Sequence, residues 1–263
     1  MPSRPGIVPR RWGPFGNSAF SAPGDTFLPT DLASLLAWYD PSDSNTVFQE
    51  RTGASATTPS GDGDLAGTIL DKSGNGYHLT APTDDRRPVR RSSGDLWYLD
   101  FDGVDDGLLR SISDKSSGSI TIIDAAALQE SPAVATSFAD ASVNNLLIGS
   151  RYWDGSGVGG FLRESTRNVL VGTYTLGEKA VASVRFDIDA GSGDGRKNKS
   201  AFSAAQSSAD TSLDRIFLGG SGDASTAYSE ADIYGAVICD EYLSLSDADK
   251  VVEFLAAKGG ITL

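Results

Sequence analysis

Tyr152, Trp153 and Asp154 open a glycine-rich run, RYWDGSGVGGF (151–161), and carry the strongest ligand-contact signal in the chain. Glycine gives an aromatic ring nothing to pack on, so these rings need a partner from elsewhere. An aromatic face beside a carboxylate suits a sugar, because the ring covers the C–H face and the polar atoms take the hydroxyls. The competing reading places the rings in a core or against a neighbouring subunit.

Acidic pairs are the second feature. Glu230 and Asp232 are two residues apart, as are Asp187 and Asp189, so on a strand each pair shares a face. Glycoside hydrolysis needs two carboxyls facing one groove, and their separation sets the stereochemical outcome. Neither pair extends to a third acid, and Tyr234 takes the next same-face position after Asp232. No nucleophile set accompanies them. His78, the sole histidine, lies in the turn DKSGNGYH, and the sole cysteine, Cys239, lies in a predicted core strand. No catalytic residue is expected, and the chain reads as non-enzymatic.

The elements that must position these residues are mostly strands. Trp97, Leu99 and Phe101 alternate with Tyr98, Asp100 and Asp102, the period of a half-buried strand. Further strands are predicted at 35–40, 119–124, 145–150, 168–175, 180–187, 215–218 and 233–239, separated by Gly, Asp and Ser turns. The stretch 190–210 is poor in apolar residues and reads as a loop or hairpin tip. Near the end, LSDADKVVEFLAAKGG (245–260) reads as one helix, with Ser246 as its amino-terminal cap and Gly259 and Gly260 at its close. Val251, Phe254 and Leu255 form its apolar stripe, which calls for a sheet to dock on.

Four segments carry a family resemblance: LLAWYDPSD (35–43), ILDKSGNGYHLT (69–80), WYLDFDGVDDGL (97–108) and DIYGAVICDEYLSLSDADKVVEFLAAKGGI (232–261). Together they resemble the concanavalin A-like lectin/glucanase superfamily, and within it the laminin-G-like jelly rolls common in bacterial and phage proteins. The resemblance implies an all-β fold: a two-sheet antiparallel jelly-roll sandwich with a short C-terminal helix. One departure is that the closing strand has Gly235 and Cys239 where the family often has Glu and Tyr. Calcium bound by loop carboxylates is also implied, since that ion takes six to eight oxygens in irregular geometry. Asp102, Asp105 and Asp106 are candidates, as are Asp189 and Asp194. With 28 Asp in the chain such groupings arise by chance, so no cofactor is expected and calcium stays the alternative.

Residues 1–26 stand apart from this predicted domain of 27–263. Pro2, Pro5, Pro9, Pro14 and Pro23 exclude a continuous helix or central strand there. The segment reads as an extended docking arm, with Arg10, Arg11, Trp12 and Phe15 as its anchors, since Trp and Arg most often hold interfaces. Ahead of Asp25 the arm carries +3, from Arg4, Arg10 and Arg11, in a chain whose net charge is −13. That negative body argues against nucleic acid, which needs clustered Lys and Arg. No apolar run approaches a membrane span, and the first residues lack the apolar segment of a signal peptide. One cysteine excludes an intrachain disulfide and suits assembly in a reducing cytosol.

A lectin-like jelly roll with such an arm resembles virion components of tailed phages or gene transfer agents: head spikes, decoration proteins, tail fibres. The expected function is attachment. The arm would join other virion proteins, the domain would face surface polysaccharide, and a homo-oligomer would multiply weak single-site affinity. A structural decoration protein that touches no sugar, and a polysaccharide hydrolase, are the alternatives.

Overall fold

The computed structural model describes residues 26–130, 133–139, 147–153, 157–162, 174–206, 213–220 and 228–263. The arm residues Arg10, Arg11, Trp12 and Phe15 lie outside these, as does Asp154.

Among the described residues there are sixteen strands and one α-helix: β1 (Leu35–Tyr39), β2 (Val47–Phe48), β3 (Thr68–Ile69), β4 (Leu79–Thr80), β5 (Val89–Ser93), β6 (Leu96–Asp102), β7 (Leu108–Lys115), β8 (Ser119–Leu128), β9 (Ala133–Ala139), β10 (Leu147–Trp153), β11 (Gly157–Leu162), β12 (Lys179–Asp187), β13 (Ser192–Lys197), β14 (Ser203–Gln206), β15 (Leu213–Leu218), β16 (Glu230–Cys239) and α1 (Leu245–Gly259). They form two antiparallel sheets. One runs β14-β13-β12-β8-β16-β6-β5, with β1 also on β16, and the other runs β11-β10-β9-β15-β7-β4-β3-β2. Strand β16 serves two neighbours along one edge, because Glu230–Ile233 pair with β6 while Ala236–Cys239 pair with β1.

The core lies between the sheets, and a second apolar layer lies under the helix. In β8, Ile120, Ile122, Ala126 and Leu128 face the opposite sheet, while Ile123, Ala125 and Ala127 face α1. A strand covered on both sides reads as a largely apolar run, and the sequence shows its first part, 119–124, while the strand continues past the buried Asp124 to Leu128. In β16 the alternation changes phase: Ala231 and Ile233 face the core, and so do Ala236 and Ile238. A register shift against β8 between Ile233 and Gly235 accounts for this, since one extra residue in a strand flips every later side chain. Gly235 sits at that shift, beneath the helix. A Cβ there would come to 3.0 Å from Leu255 Cδ2 and 3.3 Å from the Tyr39 carbonyl. Glycine at this position thus makes room for α1.

The helix begins at Leu245, as expected, but its cap lies two residues before the expected one. Ser244, not Ser246, is the cap: its Oγ accepts the Asp247 N–H at 3.1 Å and donates to the Asp247 carboxylate at 2.9 Å. Val251 and Leu255 are buried with Ala248, Val252 and Ala256, and Phe254 meets Trp38 edge-on at 5.6 Å. Gly260 closes the helix in the left-handed conformation, φ 62°.

Within the stretch 190–210, expected as a loop or hairpin tip, 192–197 and 203–206 are instead the strands β13 and β14 at the edge of the helix-bearing sheet, and 207–210 lie outside the described residues. Its Gly and Ser residues contribute no periodic apolar signal. The pairing is held by side chains that pattern reading misses. Arg185 grips Asp194 with two bonds, 2.9 and 2.6 Å, and stacks on Phe202, while buried Arg196 meets Asp249 of the helix at 2.6 Å. Of the strand expected at 168–175, residues 168–173 lie outside the described residues; Tyr174 and Thr175 precede β12 and belong to no strand.

Candidate functional site: opposed carboxylates beside tyrosines

The pairing of β6 with β16 builds the site. Alternation on β6 sends Leu99 and Phe101 into the core and Tyr98, Asp100 and Asp102 to the helix-bearing face. On β16, Asp232 shares that face with Tyr234. The register sets Glu230 opposite Asp102 and Asp232 opposite Asp100. Directly opposed residues hold their Cβ atoms about 4.5–5.5 Å apart.

The two central acids are held differently. Asp100 takes a bond from Arg91 Nε at 3.2 Å. Asp232 has no salt-bridge partner among the described residues. Burial first, and then repulsion from Asp100, push its carboxyl up to about 6, against the opposing hydrogen bond from Gln129 Nε2 (3.3 Å) and the charge of Lys179. A carboxyl that holds its proton close to neutral pH is suited to donate it as a general acid. Tyr98 and Tyr234 lie alongside, ring centroids 5.2 Å apart, with Lys179 Nζ 4.7 Å over the Tyr234 ring.

The sequence had singled out Glu230 and Asp232 but missed Asp100, Tyr98, Gln129 and Lys179. The signal for Asp100 was present in the WYLDFD alternation; what no local pattern supplies is that β6 pairs with β16. The other acid pair divides. Asp187 Oδ1 accepts the Ala190 N–H at 2.9 Å, and Asp189 Oδ2 accepts the Gly118 N–H at 3.0 Å, so both organise turns.

Tyr152 and Trp153 are the last residues of β10, opposite Val158 and Gly157 of β11.

Asp102, Asp105 and Asp106 are brought together, with one carboxylate oxygen from each within 4.8 Å of the others. Their fit to calcium is partial. Asp102 Oδ1 already accepts the Val104 and Asp105 N–H groups (2.8 and 3.2 Å), and Asp106 Oδ2 accepts the Asp102 N–H at 3.2 Å. Burial and the neighbouring Asp102 push the Asp106 carboxyl up to about 7. In the other candidate set, Asp194 is committed to Arg185 and Asp189 to Gly118.

The DKSGNGYH turn is a brace. The Asp71 carboxylate accepts the N–H groups of Trp38, Ser73 and Tyr77 at 2.8–3.0 Å and the Ser73 hydroxyl at 2.7 Å. Asn75 donates to the Leu35 and Leu36 carbonyls, and His78 Nδ1 accepts the Asp71 N–H at 3.0 Å. His78 is therefore structural, and Cys239 is buried under the helix.

No family model and no curated protein sequence matches the chain. Solved structures do. A GH54 α-L-arabinofuranosidase matches at TM-score 0.63 and 14% identity, over 85% of this chain and 63% of its own. A Trypanosoma rangeli sialidase matches at TM-score 0.58 and 12% identity, over 88% of this chain and 34% of its own. The binding domain of botulinum neurotoxin serotype G matches at 0.51 and 10%, over 72% of this chain and 49% of its own. At these identities the likeness is one of fold, and this chain spans a third to under two thirds of each neighbour. It nevertheless overturns the expectation of a non-enzymatic chain, because named glycoside hydrolases share the fold across most of its length.

Proposed function

We propose that this protein recognises carbohydrate on its sandwich and is carried, through its N-terminal arm, on the surface of a tailed-phage or gene-transfer-agent particle assembled in the bacterial cytoplasm. The observation that carries the sugar half is the Asp100–Asp232 pair beside Tyr98, on a fold shared with sugar-processing enzymes. Rings for C–H faces and carboxylates for hydroxyls are what such a surface needs. The particle half rests on the arm: three arginines and three aromatics among prolines, ahead of a body of opposite charge. Other virion proteins are its proposed partners there, with copies of the sandwich displayed together. Calcium at Asp102, Asp105 and Asp106 is a proposed accessory.

Binding of the full chain to extracted surface polysaccharides, with calcium and with chelator, tests the reading. Saturable binding supports it, and a calcium requirement supports the accessory ion. Failure of a multivalent display to bind any of them overturns it.

One observation favours hydrolysis on the same surface. Asp232, protonated into the pH range near 6, stands opposite Asp100, which has an arginine partner. Release of reducing ends from those polysaccharides, falling as pH rises above about 6 and lost in Asp232→Asn and Asp100→Asn, is the expected result. Activity that survives both substitutions would exclude the pair.

A further inference from the structure

A cleft of 310 Å³ opens at one end of the sandwich, away from the carboxylate cluster. Its floor is apolar: Leu36, Tyr77 and Ile112 pack on the core from three different elements. Hydroxyls of Ser113, Ser116 and Ser117, from the end of β7 and the turn after it, line its side, and all three residues are exposed. At the rim Lys115 of one sheet pairs with Asp240, which follows β16 of the other.

We propose that this cleft binds a neutral mono- or disaccharide. The proposal rests on the carbohydrate reading above and assigns it a second place in the fold. The size is at the lower end of ligand clefts, about 300–1000 Å³, which suits a short glycan end rather than a long polymer groove. The chemistry of the lining selects the class. Serine hydroxyls both donate and accept, as sugar hydroxyls do. The lysine is neutralised by Asp240, so no net positive charge calls for an anion. The Tyr77 ring and two aliphatic side chains offer a surface for C–H groups.

The walls are set before any ligand arrives. Tyr77 is fixed by its N–H to Asp71 (3.0 Å) and by its carbonyl, which accepts the Tyr39 hydroxyl at 2.7 Å. The opposite wall is fixed by the Asp240 N–H to the Ser34 carbonyl (2.8 Å) and by Thr121, whose Oγ1 donates to the Glu241 carbonyl and accepts the Leu243 N–H. A site that needs no ordering on binding keeps more of its contact energy. The DKSGNGYH brace thus gains a purpose beyond stability, which is to hold Tyr77 at the cleft.

The test uses the full chain, titrated with neutral pentoses, hexoses, N-acetylhexosamines and their disaccharides by NMR and calorimetry. Ser117→Trp, on an exposed turn, fills the cleft; Asp240→Asn removes the rim charge and provides a second variant. The expected result is binding by the parent chain, shifts in the amides of Ser113, Ser116, Ser117 and Asp240, and affinity roughly tenfold or more weaker in each folded variant. Binding that leaves those amides unmoved and both variants at parent affinity overturns the cleft while the carbohydrate reading stands. Absence of binding by the parent chain to any of these sugars and to the surface polysaccharides overturns both.

Discussion

Two aspartates show how differently the same side chain is used in this fold. Asp71 is nearly buried and accepts four hydrogen bonds, among them the N–H of Trp38 from 33 residues away. Replacing it with Ala leaves buried N–H groups without an acceptor, at a cost of about 1–3 kcal/mol for each such group. We therefore expect Asp71→Ala to lower stability by about 3 kcal/mol in urea unfolding, with little change in the slope. Asp232 has the opposite sign. Its carboxyl titrates at about 6 in the fold and at 3.8 by default, so the folded chain holds that proton more tightly than the unfolded chain. Stability is unaffected below about pH 4, where both states are protonated, and falls as pH rises through about 6, where the buried charge appears opposite Asp100. Asp232→Asn should raise the melting temperature at pH 7 and leave it unchanged near pH 4. A variant equally shifted at both pH values would contradict this assignment. At this scale the sequence was half legible. That Glu230 and Asp232 share a face follows from spacing alone, whereas Asp100 as their partner required knowing which strands meet, across some 130 residues of chain.

Elements were legible where burial is one-sided or complete, and illegible where polar side chains do the holding. Strands β8 and β16 showed themselves by apolar runs and β6 by alternation. Strands β13 and β14 did not, because glycine and serine leave no period and the Arg185–Asp194 and Arg196–Asp249 pairs are long-range. The helix was recognised, but its cap was misplaced: LSLSD offers two serines, and local sequence does not say which lies at the point where the chain leaves the turn. That turn is fixed from outside, by Thr121 of β8. The structure separates the two residues experimentally. Ser244→Ala should cost about 1 kcal/mol, as the loss of a cap does, while Ser246→Ala should stay within about 0.5 kcal/mol. Leu255→Ala should cost more than either, about 2–5 kcal/mol, because Leu255 is buried over Gly235 and the backbone there has no Cβ to relax into the gap. Equal effects from the two serine variants would return the cap to Ser246.

For the whole molecule, the question is whether the arm belongs to the fold or to its partners. Among the described residues, the strands from Leu35 onward pair with one another and build both apolar layers. The first described residues contribute Phe27, which meets Phe254 of the helix edge-on at 6.4 Å, so the sandwich begins no later than this residue. Removing residues 1–24 takes away three positive charges and shifts the net charge from −13 to −16, a change spread over a body that is already acidic. Substitutions away from a packed core typically act within about 0.5 kcal/mol, and for a chain of this size that is about 2 °C in melting temperature. We therefore expect the truncated chain to melt within about 2 °C of the full one and to keep its sugar binding, while losing its place on the particle. The two readouts divide the molecule cleanly. A large drop in melting temperature would make the arm part of the sandwich, and unchanged incorporation into particles would move the anchor to the acidic body, where its partner would have to be basic.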